Sequence, residues 1–144
     1  MRWCLRIICK ACAHEGRKNL SIHSVKSAGT VLEILEETKV FESCRCVFHW
    51  FTCSKTEFKK AVENGSYFSV NSQMVKTNKG QELIRNIPAE KILLETDAPF
   101  AKRITSIQAL KNELLDLTNA ISTIRGEDVK KYIEHNTMEV LFSK

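Results

Sequence analysis

Ile87-Pro88-Ala89-Glu90-Lys91-Ile92-Leu93-Leu94-Glu95-Thr96-Asp97-Ala98-Pro99 is the stretch on which the architecture turns. Pro88 stops a short helix read over Gln81 to Asn86. Ile92 to Thr96 reads as a strand, and Asp97-Ala98-Pro99 as the turn that ends it. Upstream the same rhythm repeats. Leu20-Ser21-Ile22-His23 is a strand, and Ala28 to Glu37 is a helix with Val31, Ile34 and Leu35 on one face. Cys46-Val47-Phe48-His49-Trp50 is a second strand. Thr56 to Asn64 is a helix that buries Phe58, Ala61 and Val62, closed by Gly65. Tyr67-Phe68-Ser69-Val70-Asn71 is a third strand, rich in β-formers. Downstream, Ile107, Leu110, Leu114, Leu117, Ile121 and Ile124 recur at three and four, which makes one apolar helical stripe. Gly126 closes that helix, Glu127 to His135 forms the next, and Val140-Leu141-Phe142 is a final buried patch.

Strands alternating with helices imply parallel pairing through right-handed crossovers. The strands read as apolar on both faces, as parallel strands covered by helices should be. A closed βα barrel needs eight strands and about 250 residues. The 144 residues here supply one domain and four strands. An open four-stranded sheet and half of a barrel both fit. With 43% hydrophobic and 27% charged residues, disorder throughout is excluded. No window is long and apolar enough for a membrane span. The net charge of +5, from 22 basic against 17 acidic residues, favours an anionic partner only weakly, since the basic residues are scattered.

Three polar residues close strands. His23 ends the first, His49 lies near the end of the second, and Asp97 ends the fourth. Carboxyl ends of parallel strands are where ligands bind, and two imidazoles with a carboxylate form a metal-ligand set. Each residue alone is more ordinarily a satisfied hydrogen-bonding group; the coincidence of three raises the metal reading. Glu95, two residues before Asp97, is either a partnered buried carboxylate or a group that orients a ligand or water. Trp50 could stack on a base or pack under a loop. Lys76 and Lys79 could meet phosphate or simply be solvated.

Six cysteines do not form a secreted framework. Arg6 and Lys10 interrupt the apolar run of Met1 to Cys12, a poor signal peptide, so the expected compartment is the cytoplasm with reduced thiols. Cys9-x-x-Cys12 and Cys44-x-Cys46 leave open a zinc-dependent nucleic-acid-binding domain, which requires these four to converge.

Ile22-His23-Ser24, Phe48-His49-Trp50-Phe51, Glu63-Asn64-Gly65-Ser66-Tyr67-Phe68-Ser69 and, above all, the run from Ile87 to Pro99 resemble the TatD-related metal-dependent deoxyribonucleases. The resemblance extends from about Ala11 to Lys144. His49-Trp50-Phe51, Phe68-Ser69-Val70-Asn71 and Lys79-Gly80-Gln81-Glu82-Leu83 look like the TatD-like branch of Qat anti-phage systems. The resemblance implies a partial (β/α)8 TIM barrel: strands five to eight with C-terminal helices, one partial barrel domain over residues 1–144. It implies hydrolysis of DNA phosphodiesters with two divalent ions (Mg, Mn or Zn). His23 and His49 match the family's metal-binding histidines on strands five and six. Asp97 matches the catalytic carboxylate ending strand eight, which holds metal and helps activate water.

The departures are as informative. No His-x-His occurs in the sequence, and the family's bridging Glu on strand four has no counterpart. Val25 stands where the family usually has Arg. The expectation is therefore a nuclease half that binds metal weakly and cleaves little alone, complete only with an N-terminal half or a partner chain. A non-catalytic interaction subunit or truncated pseudo-enzyme is the alternative.

Overall fold

The computed structural model describes residues 2–142. Met1, Ser143 and Lys144, at the ends of the expected domain and resemblance, lie outside the described residues. The chain divides into two compact units, one running through Tyr67 and one from Phe68 to Leu141.

The first unit opens with helix α1 (Arg2–Glu15), then strand β1 (Asn19–His23), α2 (Ala28–Glu37), a 3-10 turn at Val40–Glu42, β2 (Arg45–His49) and α3 (Lys55–Glu63). β1 and β2 pair in parallel, with Asn19 opposite Arg45 and His23 opposite His49. Two backbone bonds start the pair: Arg17 N–H donates to the Ser43 carbonyl (2.7 Å) and Arg45 N–H to that of Lys18 (2.9 Å). α2 buries Val31, Leu32, Ile34 and Leu35, the expected face. α1 lies on α2, where Arg6 pairs with Glu37 at 2.9 Å and Arg2 donates to Thr30 Oγ1 at 3.0 Å. α3 begins in a capping box: Ser54 Oγ accepts from Glu57 N–H (3.3 Å), and Glu57 Oε2 accepts from Ser54 N–H (2.7 Å). Asn64 is the cap at its other end, and Gly65 follows at φ 70°, a conformation glycine adopts without steric cost.

The second unit holds the rest of β3 (Tyr67–Val70), a 3-10 turn at Met74–Lys76, α4 (Asn78–Asn86), a 3-10 turn at Ala89–Lys91, β4 (Ile92–Leu94), α5 (Ile107–Arg125) and α6 (Lys130–Phe142). β3 and β4 are parallel, with Phe68 opposite Ile92 and Val70 opposite Leu94. Glu95 N–H extends the ladder by one bond to the Val70 carbonyl. α5 is capped by Ser106, whose hydroxyl accepts from Ala109 N–H, and ends at Gly126 in the left-handed region. The architecture is α/β with parallel strands, as expected.

Several local expectations are corrected. β1 alternates, burying Leu20 and Ile22 while Asn19, Ser21 and His23 are exposed, so it is not apolar on both faces. In α3 only Ala61 is fully buried; Phe58 and Val62 are half-buried. The α5 stripe is covered at Leu117 and Ile121, but Ile107 is 79% exposed. Its first turns run past the elements that cover the rest. α6 begins later than Glu127 and continues through Phe142. Of the supposed buried patch only Val140 is buried; Leu141 and Phe142 fall on the exposed side of that helix.

Candidate metal centre

Parallel in-register pairing places the last residues of two neighbouring strands at the same end. That geometry sets His23 beside His49. Their rings lie 5.3 Å apart, centroid to centroid, tilted by 44°. Two imidazole nitrogens at about 2.0–2.1 Å from one tetrahedral ion put ring centroids about 5 Å apart. The pair therefore fits two donors of one ion. His23 is exposed and His49 half-buried, so a ligand can reach both rings. Trp50 follows at φ 47°, a sharp turn that returns the chain to the buried Phe51, stacked on Phe48 at 4.5 Å.

The other expected site residues belong to the second unit. Asp97 lies three residues beyond β4, half-buried, at φ 48°. Its backbone carbonyl accepts from Ala101 N–H at 2.9 Å. Because β4 stops at Leu94 and Asp97 is left-handed, the two-residue strand period that put Glu95 and Asp97 on one face does not apply. Glu95 is a partnered carboxylate: Ser69 Oγ donates to its Oε2, and Asn71 Nδ2 to its Oε1 at 2.9 Å. Asn71 is fully buried, and its Oδ1 accepts from Gln73 and Met74 N–H. Ser69 and Asn71 had no role in the sequence reading. Their signal was a polar residue inside a buried strand and another at its end. Lys76 and Lys79 are both exposed.

The cysteines offer no comparable centre. Cys9 and Cys12 lie on α1, Cys44 precedes β2, and Cys46 is on it. All are free thiols. Burial, reinforced by the nearby Cys9, Cys44 and Cys12, pushes the Cys46 thiol up to about 12. Burial also raises Cys9. A metal-ligating cysteine needs its thiolate, which both sites disfavour. Cys44 Sγ donates to the Cys12 carbonyl at 3.2 Å. Among the described residues no three His, Cys, Asp or Glu side chains are grouped to hold an ion. The four-cysteine zinc reading thus finds no support, and the imidazole pair stands as part of a coordination shell.

Parallel βα units with imidazoles collected at strand carboxyl ends define an α/β protein of the kind from which barrel hydrolases are built. The chain belongs to the TatD related DNase family, whose model matches residues 5–142. It is similar to the deoxyribonuclease Tat-D of Schizosaccharomyces pombe, 39% identical over 83 residues, which are 58% of this chain and 27% of that protein. It is similar to the 3'-5' ssDNA/RNA exonuclease TatD of Escherichia coli K12, 34% identical over 91 residues, 57% of this chain and 35% of that one. Two solved structures share the fold, each with a TM-score of 0.69 over 88% of this chain and 51% of theirs. One is a TatD family hydrolase of Entamoeba histolytica (16% identical), the other a TatD homolog of Escherichia coli K12 (19%). Both are TatD hydrolases, consistent with a partial barrel here. The chain spans about half the length of those structures, and its aligned part covers about a third of the curated relatives.

Proposed function

We propose that this chain is a TatD-like metal-dependent hydrolase portion acting on DNA phosphodiester bonds, with residues 1–144 forming one partial barrel domain. The observation that supports it is the His23–His49 pair at the ends of two parallel strands. In this reading His23, His49 and Asp97 hold a divalent cation: Mg, Mn or Zn. A bound cation would supply Lewis-acid neutralisation of charge on the phosphoryl oxygens. Asp97 additionally takes a proton from the attacking water. Glu95, held by Ser69 and Asn71, stiffens the strand end from which Asp97 follows. Trp50 stacks on a base, and Lys76 and Lys79 meet the phosphate backbone. A cytoplasmic setting and membership of the Qat-type anti-phage branch belong to the same proposal. It draws support from the motif likeness, and from no described helix being long and apolar enough to cross a membrane.

The sequence has no His-x-His, so the donors for a second ion are not all present in it. We therefore expect weak ion binding and little or no DNA cleavage by the chain alone, restored by the complementary half or a partner chain. The test is Mn2+ titration of the purified chain alongside a single-stranded DNA cleavage assay. Weak Mn2+ binding, lost in both His23→Ala and His49→Ala, is the expected result. No binding of Mn2+, Mg2+ or Zn2+ at millimolar concentration would overturn the reading, and a robust nuclease rate would overturn its second half.

A second reading, a non-catalytic interaction subunit, is favoured by the apolar side chains left exposed on α5 and α6. Ile107, Leu115, Leu141 and Phe142 are each more than half exposed. Unchanged cleavage of DNA by the assembled protein carrying His23→Ala would support that alternative over the enzyme.

A further inference from the structure

On α5, positions 113, 117 and 121 succeed one another at four-residue spacing, and all three are buried. Leu117 and Ile121 are apolar. Glu113, 5% exposed, is not. A carboxylate in that position costs stability unless it is paired. Its partner is Lys102, whose Nζ bonds Glu113 Oε2 while its side chain stays half exposed. The buried member of the pair is thus the acid, and it reaches out to hold a loop.

That loop carries Asp97. Ala101 N–H donates to the Asp97 carbonyl at 2.9 Å, and the Ala101 carbonyl accepts from Gln73 Nε2 at 3.0 Å. Gln73 is itself fixed by Asn71, which also holds Glu95. Lys102 is the next residue along. Residues 97–102 are therefore tied at one end to the strand-end cluster around Glu95 and at the other to α5. Asp97 at φ 48° occupies a sparsely populated region, which persists where surrounding bonds over-determine it.

We propose that Glu113 is a positioning residue: through Lys102 it fixes the 97–102 loop and so presents the Asp97 carboxylate to the cation. This rests on the reading of Asp97 as a metal ligand. Glu113 touches neither ion nor substrate. Groups that orient a ligand in this way change metal affinity by about 10–100-fold when removed.

The experiment measures Mn2+ affinity and the ion-free melting temperature of the full chain for wild type, Glu113→Gln, Lys102→Met and the double variant. Mn2+ affinity is expected to fall at least about tenfold in each single variant, and no further in the double, because both substitutions cut one link. A role confined to packing would lower the ion-free melting temperature and leave Mn2+ affinity as in wild type, and that result overturns the proposal. Should Glu113→Gln not fold, Lys102→Met, at a half-exposed position, carries the same comparison. If wild type itself binds no Mn2+, the metal reading fails and this inference with it. If wild type binds and the variants match it, this inference alone fails.

Discussion

Glu113 shows what a single residue can hide. In sequence it falls beside an apolar stripe and reads as a solvated charge; in the fold it is buried against Lys102. The hydrogen bond from Lys102 holds its carboxyl below the usual carboxylate range, with Ser72 acting in the same sense and burial opposing both. A carboxyl depressed in the folded state stabilises the fold above its ordinary pKa of about 4.3, and that contribution is lost as pH falls through the depressed value. Thermal melts should therefore show wild type losing more stability than Glu113→Gln between neutral pH and the acid side of that range. Equal losses would deny the pairing. Asn136 makes the same point without charge. It is fully buried, and its Nδ2 donates to the carbonyls of Ala89 (2.9 Å) and Ile92 (2.8 Å), at the entry to β4. Asn136→Ala should cost about 2 kcal/mol or more, since two buried acceptors lose their donor; urea unfolding measures it. His23 and His49 were legible because strand ends are marked by composition. Glu113 and Asn136 were not, because their partners lie 11 and 44–47 positions away.

Elements were read well where local chemistry defines them. α2 has the expected bounds because its apolar residues recur on one face. α4 begins three residues before the expected Gln81, because Thr77 Oγ1 accepts from Gly80 N–H and starts the helix there. Gly80 also tolerates only hydrogen: a Cβ would fall on the Met74 carbonyl, part of the backbone. Alanine gains about 1 kcal/mol of helix propensity over glycine, but a backbone clash costs about 1–3 kcal/mol. Gly80→Ala is therefore expected to destabilise, read as a lower urea midpoint. The other end of α4 depends on Arg125, whose Nη1 donates to the carbonyls of Ile84 (2.8 Å) and Ile87 (2.6 Å). Arg125→Met should cost about 1.5–3 kcal/mol, the range for hydrogen bonds to a charged donor. No local pattern announces such a bond, which joins the end of α5 to the end of α4.

For the whole molecule, alternation of strands and helices carried the fold class and the 87–99 run carried the family, both of which hold. Exposure did not follow from pattern. A stripe at helical spacing marks which residues share a face, whereas burial depends on how far the neighbouring elements extend, as Ile107 and Phe142 show. The site is legible as far as its imidazoles, because parallel register alone sets them side by side. The sequence contains four histidines: His14, His23, His49 and His135. Paramagnetic Mn2+ titrated into the chain, with histidine ring signals followed by NMR, separates the paired two from the rest. His23 and His49 should broaden together at the lowest Mn2+ concentrations, well before His14 and His135. Broadening of all four alike, or of neither His23 nor His49, would contradict the metal centre.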